Sequence, residues 1–133
     1  MGAANFIVLE RKIDGLDTMM DGKSISHSSE LLDAVATKLS VRPLSEFISV
    51  DPEQAADFLE GEGADVGEIE LPPLQQFSAQ DGLTTVQALL AHIQASPHTI
   101  QNEENLIMDL REGERILSVA AKNGVGWHFE VDF

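Results

Sequence analysis

The last stretch of the chain, residues 125–133, reads VGWHFEVDF and alternates strictly in polarity. Val125, Trp127, Phe129, Val131 and Phe133 fall on one side of an extended backbone, and Gly126, His128, Glu130 and Asp132 on the other. Successive side chains of a strand point to opposite faces, so the pattern predicts an amphipathic strand with its aromatic face on helices and its polar face in water. Near the start, residues 4–10 hold an unbroken apolar run from Phe6 to Leu9, which predicts a central strand covered on both faces. Glu68-Ile69-Glu70-Leu71 alternates and is closed by Pro72-Pro73, the signature of a short edge strand.

Between these segments the apolar period changes to that of helices. Leu31, Leu32, Val35 and Leu39 recur at helical spacing after Ser28, with Glu30 in the first turn where the helix dipole favours an acid. Asp51 and Pro52 open a second helix with Ala55, Phe58 and Leu59 as a modest apolar face, ended by Gly61 and Gly63. The clearest helix follows Ser78. Asp81 completes an acidic form of the capping box, and Leu83, Val86, Leu89, Leu90 and Ile93 make the buried stripe before Pro97. A last helix starts near Glu103 with Leu106, Ile107, Leu110, Leu117, Ala120 and Ala121 on one side, and Lys122-Asn123-Gly124 ends it. Gly113 either permits close packing within that helix or divides it. Residues 14–27, with two Asp-Gly pairs, read as a connection with one short helical turn, and a further short element is expected at Leu44 to Ile48. The expected fold is a single compact α+β domain spanning residues 1–133: two layers, with a small mixed sheet of at least three strands covered by helices on one face.

Composition narrows the function more than it identifies it. The chain has 133 residues, 43% of them hydrophobic and 5% aromatic, so one aliphatic core is expected. Cysteine is absent, which removes disulfides, thiolate metal sites and thiol nucleophiles and agrees with a reducing, cytoplasmic setting. No apolar run approaches the roughly 18 residues of a membrane span, and the amino-terminal MGAANF lacks the hydroxyl residue that a myristoylation signal wants at its sixth position. With 23 acids, 8 bases and a formal charge of −15, the surface repels nucleic acid and anionic membrane and favours a basic protein partner.

Candidate chemistry is sparse. Leu59 to Pro73, LEGEGADVGEIELPP, carries five carboxylates and no base. Its glycines do not make a phosphate loop, because the carboxylates oppose phosphate and the lysine of that motif is missing. A calcium loop beginning at Asp17 would put Met19 at an oxygen-ligand position and Ser28 where a bidentate Glu closes the site. Glu60, Glu62 and Asp65 remain candidates for an irregular cation site, and with Glu68 and Glu70 for an acidic docking surface. The strongest constellation is His128, Glu130 and Asp132 on one strand face, where imidazole serves as a base and a carboxylate orients it. His27, His92 and His98 have no metal-ligand spacing, and no motif calls for a cofactor. Arg111 and Arg115, interleaved with Asp109, Glu112 and Glu114, read as a solvated, salt-bridged helix face. Arg42 is a candidate holder of an anion or a helix end, and Trp127 reads as a core anchor.

Two function classes follow. The first is a non-catalytic acidic interaction or regulatory domain that meets a basic partner. The second is a small metal-dependent or His-based hydrolase built on His128, Glu130 and Asp132. Self-association as a homodimer through a sheet edge or aliphatic helix face is a third expectation.

Overall fold

The computed structural model of the protein describes residues 4–49, 74–96, 100 and 102–132. Within them the two apolar extended segments find each other across the length of the chain. Strand β1 (Ala4–Leu9) pairs antiparallel with β2 (Trp127–Asp132), with Ile7 opposite Phe129 and Leu9 opposite Trp127. Facing residues of an antiparallel pair share a face, so Ile7, Trp127 and Phe129 line the core together.

The expected central position falls to the other strand. β2 has backbone partners on both edges, since Ile48 bridges Phe129 in parallel and Phe77 bridges Trp127 antiparallel. Ser49 N–H donates to the Phe129 carbonyl at 3.0 Å, and Phe77 and Trp127 exchange bonds of 2.7 and 2.9 Å. Among the described residues, the outer edge of β1 makes one backbone bond, from Asn5 N–H to the Gly22 carbonyl at 3.1 Å. Among the described residues the sheet therefore has two strands rather than the three or more expected. Each flanking contact stays a single bridge for a local reason. Leu44–Phe47 coils into a 3-10 turn just before Ile48, and Ser78 begins a helix just after Phe77. The strand expected at residues 68–71 and the helix expected after Asp51 lie outside the described residues.

Among the described residues, four α-helices complete the α+β architecture: α1 (Lys23–His27), α2 (Ser29–Lys38), α3 (Ala79–Ala95) and α4 (Glu103–Lys122). The Ser78 side chain accepts the Asp81 N–H at 3.4 Å, and Leu83, Val86, Leu89, Leu90 and Ile93 are all buried. α4 runs through Gly113 without a break. A Cβ there would meet only Ile7 Cδ1, at 3.9 Å, so that glycine neither divides the helix nor is demanded by packing. Its end is a left-handed Gly124 (φ 64°), with Val125 N–H returning to the Ala120 carbonyl at 2.9 Å. In α2, Leu32 and Ala36 turn inward, while Leu31, expected on the buried stripe, is exposed. The short helix needs only one inward row, and Leu31 lies a residue off it.

Buried residues from both strands, α1 to α4 and the 3-10 turn form one cluster. At its centre Trp127 stacks on Phe47, with ring centroids 5.0 Å apart, and meets Phe129 edge-on at 4.8 Å. Its indole N–H donates to the Ser78 carbonyl at 3.1 Å, tying β2 to the first turn of α3. No helix among the described residues is long and apolar enough to cross a membrane.

Candidate functional site

The polar face of β2 is where the sequence concentrates its chemistry. His128 stands opposite Val8, and Glu130 opposite Phe6. His128 Nε2 lies 2.7 Å from Glu130 Oε2, and Nδ1 lies 3.2 Å from Gln76 Oε1. Two residues apart on a strand, the side chains share a face, and the imidazole and the longer Glu side chain span the gap. The pair is thus brought together as the alternation implies.

Its setting differs from the expected wet face: His128 is 1% exposed. Alternation assigns a side chain to a face, but not what lies over that face. Here the Phe77–Trp127 bridge carries Gln76 alongside β2, and its side-chain amide closes on the imidazole. Both ring nitrogens are engaged, so the ring has no free edge for proton transfer to a substrate. A buried imidazole with both nitrogens satisfied serves as a polar tie between β2 and the segment leading into α3.

Other candidates are scattered. His27 is exposed at the end of α1, and His92 is half-buried on α3. Among the described residues no group of three His, Asp or Glu side chains is placed to hold a metal ion. His98, and the acids Glu60, Glu62, Asp65, Glu68 and Glu70, lie outside the described residues, as does the side chain of Asp132. Arg42, the candidate holder of an anion or a helix end, packs on aromatic side chains. Its guanidinium sits 4.9 Å from the Phe47 ring centroid and 4.8 Å from that of Phe77, a cation held against two aromatic rings.

No family model, curated protein or solved structure matches this chain. The site must therefore be read from its own geometry.

The mixed-charge face of α4 divides into two parts. Arg115 behaves as expected, pairing with Glu112 at 2.7 Å and donating to the Asp17 carbonyl at 2.7 Å. Asp109 does not, because it is buried. Its Oδ2 accepts the N–H groups of Ser24 at 3.0 Å and Ile25 at 3.4 Å, where α1 starts from Gly22 without a side-chain cap of its own. Asp109 is thus the missing cap of α1, supplied from α4. Burial pushes its carboxyl up from the ordinary value of 3.8, partly offset by the backbone bonds from Ile25 and Ser24, and the nearby Asp21 adds to the rise. The helical period held a signal for this. Asp109 lies three residues from Leu106 and four from Gly113, on the inward stripe itself.

Beside this cap opens a cleft of about 510 Å³ between the loop before α1 and the outer side of α4. Asp17 and Asp21 give it negative charge, Glu112 is paired there with Arg115, and Met19 and Met108, 77% and 64% exposed, give it apolar walls. Unbranched thioether side chains adapt to irregular apolar surfaces, so this is the described face best suited to a partner that carries both charge and hydrocarbon.

Proposed function

We propose that the protein is a non-catalytic acidic interaction or regulatory module that meets a basic protein partner. The observation that carries this reading is the formal charge of −15, from 23 acids against 8 bases. Between described residues the lysines and arginines form one ion pair with a carboxylate, Arg115–Glu112. An excess of carboxylates over bases steers cationic partners by long-range attraction and repels polyanions. The acids at Glu60, Glu62, Asp65, Glu68 and Glu70 are proposed as one contact region, and the methionine-bearing cleft as the described surface that adds apolar contact.

The hydrolase reading needs an imidazole open to substrate. The closure of His128 between Gln76 and Glu130 favours the binding reading over it.

A labelled Lys/Arg-rich peptide and an uncharged control of equal length, titrated by fluorescence anisotropy, test the proposal. The basic peptide is expected to bind and the control not, with affinity falling at least about tenfold between roughly 0.05 and 0.5 M salt. Neutralising Glu60, Glu62, Asp65, Glu68 and Glu70 to amides should weaken binding further. Equal affinity at both salt concentrations, or no binding of the basic peptide, overturns the reading.

A further inference from the structure

A second cavity, about 220 Å³ and partly enclosed, lies where β1, β2, α1, α2 and the 3-10 turn meet. Ile25, Leu32, Leu44, Ile48 and Val131 contribute an aliphatic lining. Asn5, Asp33 and three serines complete its lining, and none of its described lining residues is a lysine, arginine or histidine.

Asn5 is the unusual residue. It sits on the inward face of β1 opposite Val131 and is 4% exposed, a burial typical of an aliphatic side chain. Its backbone N–H is satisfied by the Gly22 carbonyl, but its side-chain amide has no hydrogen-bond partner among the described residues. No fully sealed side-chain N or O atom in the described structure lacks a partner. Asn5 is one of the residues that line this cavity. A ligand entering the cavity would meet this amide at its wall. Asp33, half-buried on α2, uses Oδ1 to accept Ser45 N–H at 3.3 Å, and Oδ2 has no partner among the described residues.

An aliphatic cavity with a carbonyl oxygen from Asn5, a carboxylate from Asp33 and no base among its described lining residues is matched to a cation with a hydrocarbon stem. We infer that this cavity binds an alkylammonium group, either of a free small amine or of a lysine side chain presented by a partner. The stem packs on Leu32, Ile48 and Val131. The ammonium, which has three donors and no acceptor, bonds to Asn5 Oδ1 and Asp33 Oδ2. A carboxylate or phosphate would meet Asp33 with like charge and find no base in the lining. The lysine form deepens the basic-partner reading, whereas the free-amine form does not depend on it.

The test is a titration of the whole chain by NMR, following the Asn5 side-chain amide and the methyl groups of Ile25, Leu32 and Val131. The probes are n-butylamine, 1-butanol, butyrate and Nα-acetyl-lysine methylamide. Saturable shifts of these reporters are expected with butylamine, weaker ones with butanol, and none with butyrate. Asp33→Asn keeps an acceptor for Ser45 N–H while removing the charge, and should weaken butylamine about tenfold while leaving butanol unchanged. Ile48→Trp, at an exposed lining position, should block both. Each variant's amide spectrum confirms that it is folded. Shifts with the lysine derivative as well as butylamine admit a partner's side chain, and shifts with butylamine alone assign a free amine. The inference is overturned if butylamine causes no saturable shift at these reporters, if butanol and butyrate match it, or if Asp33→Asn leaves its affinity unchanged. Failure of basic peptides to bind elsewhere does not touch the butylamine result.

Discussion

Asp109 and Gly82 show how much of this fold rests on single atoms. A Cβ built at Gly82 would enter the Trp127 indole ring, so the absence of a side chain on α3 is what lets β2 lay its tryptophan against the helix. Gly82→Ala is expected to destabilise the protein by about 1–3 kcal/mol, read as a lower urea midpoint with a shifted Trp127 emission. An unchanged midpoint would mean that the ring moves without loss. At Asp109 the question is one of protonation. Its folded-state pKa lies above the unfolded value of 3.8, so the carboxyl's contribution to stability is fully present below pH 3.8 and is lost as pH rises through the folded pKa. Asp109→Asn keeps an oxygen for Ser24 and Ile25 N–H but cannot ionise. The stability difference between wild type and Asp109→Asn should therefore shift in favour of the asparagine variant as pH climbs above 3.8, measured by denaturation at each pH. A difference constant with pH would refute the assigned direction. Asp109→Ala, which leaves the start of α1 uncapped, should be less stable than Asp109→Asn by about 1 kcal/mol at every pH, since neither residue titrates.

At the scale of elements, what the sequence made legible was local, and what it concealed came from distant chain. The α3 cap and stripe could be read directly, because Ser78, Asp81 and the apolar period lie within one continuous segment. The extended segments at the two ends were legible as strands for the same reason. Their order was not: β2 is flanked on both edges because Ile48 and Phe77 arrive from elsewhere, and no period within 125–133 encodes that arrival. The same limit applies to the candidate site, where alternation placed His128 and Glu130 on one face but could not foresee Gln76, 52 residues away, closing over the ring. Asn5 was hidden more completely, as a polar residue at the start of an apolar run whose burial depends on its pairing with Val131. The α3 cap itself is testable. Ser78→Ala should cost about 1 kcal/mol and Ser78→Gly only a few tenths, while the Trp127 indole bond survives both because it ends on the Ser78 backbone carbonyl. Equal losses for the two variants, or a loss of tryptophan burial in either, would show that the hydroxyl acts other than as a cap.

Charge belongs to the whole molecule, and there it opposes the packing. A chain with 23 acids and 8 bases repels itself when compact, and folding brings those carboxylates closer than they stand in the unfolded chain. The described fold neutralises little of this excess locally: Arg115 pairs with Glu112, while Arg42 is held against aromatic rings. Added salt shortens the screening length from about 10 Å at 0.1 M to about 3 Å at 1 M, weakening repulsion among exposed carboxylates far more than any short-range contact. The melting temperature is therefore expected to rise by several degrees between about 0.02 and 0.5 M sodium chloride, opposite in sign to the loss expected for a fold held by surface ion pairs. Sodium chloride and potassium chloride should act alike if screening is the cause, which separates it from a specific cation. The same salt that stabilises the free protein should weaken a complex with a basic partner, because one field produces both effects. A melting temperature that falls with salt would place the dominant charge interactions on the attractive side and remove the electrostatic basis of the proposed partner.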